Sequence, residues 1–213
     1  MASTFQNLAR RLRYGRPVVV VSGLPRSGTS MAMKMLEAAG MSLVVDNVRT
    51  ADEDNPKGYF EDERVKNLAE MEDTGWVRAA RGKVIKVVSS LLGHLPPDND
   101  YRVVFMRRDL REVLASQAKM LARRGETSHT PDDQLLAAYE RHLEKVEFQL
   151  RFRPNFEVLY LNYAEVVAEP ATAARRLVEF LGGGLQVARM VEAVDSSLYR
   201  NRAAGASARG ASG

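Results

Sequence analysis

A chain of 213 residues is long enough for one hydrophobic core and short for two. Its hydrophobic content of 45% excludes wholesale disorder, and its net charge of +4, mixed along the chain, argues against a broad nucleic-acid surface. The sequence has no cysteine, which excludes disulfides and thiolate metal sites, and no apolar run approaches the roughly 20 residues of a membrane span. We therefore expect a single cytoplasmic domain over residues 1–202, followed by a small, polar and disordered tail at 203–213.

Helical and strand patterns alternate along the sequence. In chain order they predict a helix at 4–13, a strand at 18–22, a helix at 30–40, a short strand at 41–45, a helix at 62–71, strands at 83–88 and 102–106, helices at 107–124 and 132–151, a strand at 156–161, and helices at 170–181 and 184–193. The alternation predicts an α/β fold, a parallel sheet with helices on both faces. In such sheets ligands bind beyond the carboxyl ends of the strands.

A glycine-rich loop follows the first strand and leads directly into a helix. Gly23 and Gly28 have the spacing of a phosphate-binding loop, in the strand–loop–helix context that this motif requires. Successive backbone N–H groups and the positive end of the helix would hold an anion there. Thr29 stands where a Walker motif has its lysine, and Arg26 is the basic residue of the loop. The predicted contacts are Pro25, Arg26, Ser27, Gly28, Thr29 and Ser30.

A second anion site is predicted after the strand at 102–106. A P-loop ATPase carries its magnesium-holding aspartate at such a place, but here the strand ends in Arg107-Arg108-Asp109. Ser116 lies eight residues beyond Arg108 on the next helix, about 10 Å along its axis, a gap that an arginine and a phosphate can close. The alternative is that Arg108 forms an ion pair with Asp109 or Glu112 and that Ser116 is a surface residue of the helix. Two anion sites would imply one ligand with phosphates at two separated places.

These motifs together resemble those of the PAPS-dependent sulfotransferases, which move a sulfuryl group from 3′-phosphoadenosine-5′-phosphosulfate (PAPS) to an acceptor hydroxyl or amine. PRSGTS at 25–30 is similar to their 5′-phosphosulfate loop, and VVFMRRDLREVLAS at 103–116 to their 3′-phosphate motif. The block at 156–182 resembles the strand and helix in which a tyrosine, here Tyr163, contacts adenine. Shorter similarities to bacterial members lie at 54–62 and 197–202.

The resemblance implies a P-loop-containing nucleoside triphosphate hydrolase-like fold, with PAPS as co-substrate and no metal. It gives Arg26 the place of the basic loop residue that stabilises charge on the bridging oxygen. Lys86, at a strand end, is a second candidate cation. The GxxGxxK segment of cytosolic animal members is missing, so Arg200 or Arg202 is expected to hold the 3′ end of the adenosine.

The catalytic base is less strongly indicated by the sequence. Glu61 follows NPKGYF, in the segment where the glutamate-using members of the family supply their base. Glu53 and His94 are alternatives, and Glu61 could instead cap the helix that starts near Asp62.

Two other functions fit parts of the pattern. A P-loop kinase or nucleotide hydrolase shares the loop, but it needs the loop lysine and an acidic magnesium ligand. A non-catalytic PAPS-binding module would keep both anion sites and lack a working base. The acceptor stays open among small molecules, glycans and lipids, with a pocket expected from 46–60, 124–131 and Trp76, and the oligomeric state is not predicted.

Overall fold

The structure is a computed structural model that describes residues 4–46, 60–127 and 130–195. Its strands are β1 (Val18–Gly23), β2 (Val84–Lys86), β3 (Tyr101–Arg107) and β4 (Phe156–Asn162). Its helices are α1 (Thr4–Tyr14), α2 (Thr29–Ala38), α3 (Glu63–Lys66), α4 (Trp76–Ala79), α5 (Leu110–Arg123), α6 (Asp132–Phe152), α7 (Tyr163–Ala168), α8 (Pro170–Leu181) and α9 (Val187–Ala193), with a 3₁₀ helix at Ser89–His94. No helix within these described ranges is long and apolar enough to cross a membrane.

The four strands form one parallel sheet in the order β2-β1-β3-β4. β2 lies on one side of β1 and β3 lies on the other, so the order of the strands reverses at β1. A ligand crevice is expected at such a reversal of strand order, beyond the carboxyl ends. Gly23 at the end of β1 pairs in register with Met106 near the end of β3, so the segments that follow these two strands start side by side.

Helices cover both faces of the sheet, which confirms the predicted architecture. On one face Val19, Val21 and Val104 pack in a core with residues of α2, α8 and α9. On the other face Val18 and Val20 pack with residues of α3, α4, α6 and the 3₁₀ helix. Alternate residues of β1 thus enter opposite cores, since side chains along a strand point to opposite faces. All six residues of β1 are buried, as its unbroken β-branched run predicted.

Two predicted elements differ from the structure. The strand expected at 41–45 is reduced to a single bridge from Leu43 to Val84, at the edge of the sheet. The helix expected at 62–71 ends at Lys66, because beyond it only Leu68 is buried and a short helix needs an apolar face packed on the core. The tail at 203–213 and the polar residues 47–59 lie outside the described residues.

Candidate active site

The phosphate loop turns at Pro25 and Arg26. Ser27 closes this turn, because both its backbone N–H and its Oγ donate to the carbonyl oxygen of Leu24, at 3.2 and 2.7 Å. Arg26 takes a φ of 68°, in the left-handed region that the third residue of such a turn needs and that glycine normally supplies. A non-glycine residue in this region is strained, and strain of this kind concentrates at ligand sites.

Gly28 ends the loop and precedes α2, with a φ of 100°. A Cβ atom added to Gly28 would lie 2.4 Å from Cδ2 of Tyr163, because the tyrosine ring packs directly on the loop backbone. Tyr163 begins α7 just after β4, and it is 5% exposed. The ring therefore links the loop after β1 to the start of α7, which follows the edge strand β4.

This contact predicts that Gly28→Ala is strongly destabilising. Gly40 provides a matched control, because it has a similar φ of 97° but nothing within 4 Å of an added Cβ. Backbone strain alone should cost Gly40→Ala about 1 kcal/mol, and the collision should add about 1–3 kcal/mol in Gly28→Ala. Chemical denaturation of both variants measures the difference, and equal losses would contradict the close packing of Tyr163 on the loop.

The predicted 3′-phosphate motif, residues 103–116 (the 3′ motif), contacts this loop just after the end of β3. Arg108 donates from Nη1 to the backbone oxygen of Arg26 at 3.2 Å, and from Nε to Oε2 of Glu112 at 3.0 Å. Its guanidinium lies 4.5 Å from the centroid of the Tyr163 ring. Ser116, buried on α5, accepts a hydrogen bond from Nε of Arg26 at 3.1 Å. The two segments that the sequence placed after separate strands thus meet in one cluster.

The two adjacent arginines face different surroundings. Arg107 forms an ion pair with Glu147 at 2.5 Å and lies over the ring of Tyr160, with its carbon Cζ 4.1 Å from the centroid. This pair is exposed, whereas the side chains of Arg108 and Glu112 are 7% and 5% exposed. Of the two arginines, it is Arg108 that contacts the loop. The predicted alternative, an ion pair with Glu112, exists together with that contact.

Burial raises the pKa of Tyr163 above its ordinary value. The positive charges of Arg108 and Arg26 act in the opposite direction, and the negative charges of Glu112 and Asp195 add to the effect of burial. The phenol is therefore neutral at physiological pH. The ring therefore adds no negative charge of its own beside the guanidinium groups of Arg108 and Arg26.

A second cluster lies at the end of β2. The ammonium group of Lys86 donates to Oε1 of Glu61 at 3.3 Å and to Oγ of Ser30 at 3.4 Å. Ser30 belongs to the first turn of α2, so this cluster adjoins the phosphate loop. Lys86 is 9% exposed and Glu61 is 23% exposed. The cap of α3 is Asp62, whose carboxylate accepts from the backbone N–H of Arg64, so the alternative capping role predicted for Glu61 is filled by its neighbour.

Comparison with known families bears on the second half of this site. Residues 85–186 match the Sulfotransferase family. The match covers just under half of the chain and shows what these residues are similar to. The matched segment includes Lys86, Arg108, Ser116 and Tyr163 and begins after the phosphate loop, which is linked to it by the contacts of Arg26 with Ser116 and Arg108. No curated protein matches the chain.

Several solved structures are similar to this chain. A sulfotransferase domain from the curacin biosynthetic pathway is 14% identical, over 84% of this chain and 78% of that one, with a TM-score of 0.49. Sulfotransferase STF1 from Mycobacterium tuberculosis H37Rv is 13% identical, over 88% and 75%, with a TM-score of 0.47. Retinol dehydratase, solved with androsterone and the inactive cofactor PAP, is 17% identical, over 88% and 66%, with a TM-score of 0.46. The fold assignment rests on the observed sheet order and its helical layers.

Among the described residues, His94 and Trp76 lie apart from these clusters. His94 is exposed at the end of the 3₁₀ helix, next to Gly93, whose carbonyl accepts from Arg153 just ahead of β4. It therefore lies toward the amino ends of the strands, away from Lys86. Trp76 packs against the guanidinium of Arg64, 4.6 Å from the ring centroid. Glu53, Arg200 and Arg202 lie outside the described residues.

Sequence reasoning missed two contacts of this candidate site. The resemblance implied that Tyr163 contacts adenine, but the sequence did not indicate that the tyrosine ring packs on Gly28. Lys86 was predicted as a catalytic cation and Ser30 as a phosphate contact, but the hydrogen bond between them was not predicted. Both contacts join residues that are far apart in the sequence, and no local pattern carried a signal for them.

Proposed function

We propose that this protein is a sulfotransferase that uses PAPS and transfers its sulfuryl group to a hydroxyl or amine of an acceptor, leaving adenosine 3′,5′-bisphosphate. The observation that supports the proposal is that the phosphate loop and the 3′ motif contact each other. Arg26 reaches Ser116 at 3.1 Å, and Arg108 reaches the backbone of Arg26 at 3.2 Å. A ligand bound along this junction would carry negative charge at both ends, as PAPS does.

The donor-binding residues divide between the two ends of that ligand. The loop from Pro25 to Ser30, with the N-terminus of α2, suits the 5′-phosphosulfate, since it offers backbone N–H groups and hydroxyls. Arg108 and Ser116 suit the 3′-phosphate, because a guanidinium fork and a hydroxyl donate to phosphate oxygens. We assign the adenine contact to Tyr163, which lies between Gly28 and Arg108. Arg200 and Arg202 stay predictions for the adenosine 3′ end.

The transfer step breaks the bond between the sulfur and the bridging oxygen and forms a bond from sulfur to the acceptor oxygen or nitrogen. Negative charge then develops on the bridging oxygen, where Arg26, Lys86 and the loop N–H groups would stabilise it. The acceptor proton passes to Glu61 as general base. The ion pair between Glu61 and Lys86, at 3.3 Å, supports this assignment because it places a base and a cation together beside the loop.

Ligand-dependent melting tests this proposal. Adenosine 3′,5′-bisphosphate is expected to raise the melting temperature without magnesium, and AMP to raise it much less, because AMP lacks the group that Arg108 and Ser116 would bind. A ligand at 100 times its dissociation constant stabilises the folded state by about 2.7 kcal/mol, which a melting curve resolves easily. Equal effects of the two nucleotides would remove the 3′-phosphate site from the proposal.

Two further results separate the competing functions. A P-loop kinase would show magnesium-dependent binding of ATP, which the threonine at position 29 disfavours because the Walker lysine is replaced. A non-catalytic binding module would bind the bisphosphate tightly and transfer sulfate to no acceptor. Incubation with PAPS and a panel of sugar, lipid, phenol and peptide acceptors, read by mass spectrometry, identifies the acceptor class.

A further inference from the structure

A buried carboxylate lies against the arginine that is proposed to bind the 3′-phosphate. Glu112 is in the first turn of α5, four residues after Arg108, and its Oε2 accepts from Nε of Arg108 at 3.0 Å. The two side chains are 5% and 7% exposed. Water screens such a pair weakly, so the negative charge of Glu112 acts strongly on anything that Arg108 binds. Its field also reaches the ring of Tyr163, whose pKa it helps to raise.

An exposed pair of the same chemistry lies one residue away. Arg107 and Glu147 form an ion pair at 2.5 Å with side chains 45% and 37% exposed. Exposed pairs of this kind contribute little because solvent and salt screen them. The chain thus contains a buried and an exposed arginine–glutamate pair at the end of the same strand, which provides an internal control for the effect of Glu112.

We propose that Glu112 weakens the hold of Arg108 on the 3′-phosphate and so allows the product to leave. This inference rests on the proposed function, in which donor and product carry the same 3′-phosphate. Binding energy that donor and product share does not accelerate transfer, and a tightly held product slows the next turnover. Glu112 would fix the orientation of the guanidinium through Nε, while its charge opposes a second anion at the same group.

Glu112→Gln separates the charge from the hydrogen bond, because the amide oxygen still accepts from Nε of Arg108. Isothermal titration at pH 8 should show adenosine 3′,5′-bisphosphate binding roughly tenfold more tightly than to the wild type, as expected for loss of one nearby negative charge. Affinity for AMP should change less than about twofold, since AMP lacks the 3′-phosphate. Product inhibition by the bisphosphate should strengthen in parallel. Glu147→Gln should leave both affinities unchanged.

A second pair of variants tests the same charge if Glu112→Gln does not fold. Arg108→Gln keeps the carboxylate near the 3′-phosphate, whereas Arg108→Gln/Glu112→Gln removes both charges together. The double variant should bind the bisphosphate several-fold more tightly than Arg108→Gln, because repulsion by the carboxylate is gone. Equal affinities of these two variants would overturn the inference. So would a Glu112→Gln protein that binds the bisphosphate as the wild type does, or more weakly.

The outcome for the wild-type protein distinguishes this inference from the proposed function. A wild type that binds AMP as tightly as the bisphosphate has no 3′-phosphate site, and the proposed function fails. A wild type that prefers the bisphosphate, with a preference that Glu112→Gln does not change, keeps the proposed function and refutes the role of Glu112.

Discussion

Replacing Arg26 with glycine is expected to relieve a strained backbone conformation and to slow sulfuryl transfer severely. Arg26 is held at a φ of 68°, which glycine adopts without strain. Relief of that strain should exceed the extra chain entropy of glycine, so Arg26→Gly should be about 1 kcal/mol more stable to unfolding than Arg26→Ala, which loses the same hydrogen bond to Ser116. The variant also loses the guanidinium that donates to Ser116, and with it the proposed charge stabilisation on the bridging oxygen. Its turnover number should fall by about 10²–10³.

Two further variants separate the effect of backbone strain at residue 26 from the effect of the guanidinium charge. Arg26→Ala loses the guanidinium and keeps a strained φ, so its transfer should be as slow as that of Arg26→Gly and its free energy of unfolding lower. Arg107→Ala removes an exposed arginine that is paired with Glu147, and it should keep transfer near the wild-type rate. Denaturation curves and a PAPS-dependent transfer assay measure both properties. An active Arg26→Gly protein would exclude the guanidinium from the chemistry, and equal stabilities of Arg26→Gly and Arg26→Ala would show that the φ of residue 26 carries no strain.

The sheet could be predicted because its signals are local. The unbroken β-branched run from Val18 to Val21 can be buried on both faces, and the glycines at 23 and 28 fit a loop between a strand and a helix. The strand predicted at 41–45 is only a single bridge in the structure. Its length could not be predicted locally, because Leu43 lies at the sheet edge and its pairing depends on β2. The short helix α7 was missed, although Asn162 caps it by accepting from the N–H of Ala164.

The site could be predicted in part. Arg107 is the last residue of β3, and Arg108 follows it in the connection to α5. Which of them meets the phosphate loop depends on the pairing of β1 with β3, and only the folded chain supplies that. The sequence also left open whether Arg108 contacts an anion site or Glu112. In the structure Nε of Arg108 donates to Glu112 and Nη1 donates to the backbone oxygen of Arg26 in the loop, so the ion pair and the contact with the loop exist together.

Glu61→Gln is expected to remove turnover and to leave donor affinity nearly unchanged. The carboxylate lies beside Lys86 and not within the cluster of Arg108 and Ser116, so binding of adenosine 3′,5′-bisphosphate should not depend on it. The amide is nearly the same size as the carboxylate and can still accept from Lys86, but it cannot take the acceptor proton. General-base catalysis contributes about 10²–10⁴ in rate, and a loss of this size in the turnover number is expected.

Glu63→Gln is the matched control for this variant. Glu63 lies two residues further along, is about half exposed, and pairs with Lys66 at 2.5 Å on α3. It should keep both turnover and donor affinity, because neither partner contacts the loop or Lys86. Steady-state transfer rates and titration with the bisphosphate give the two quantities for each variant. Full activity of Glu61→Gln would show that another group accepts the proton, and would leave the ion pair with Lys86 as a structural contact that holds the lysine beside Ser30.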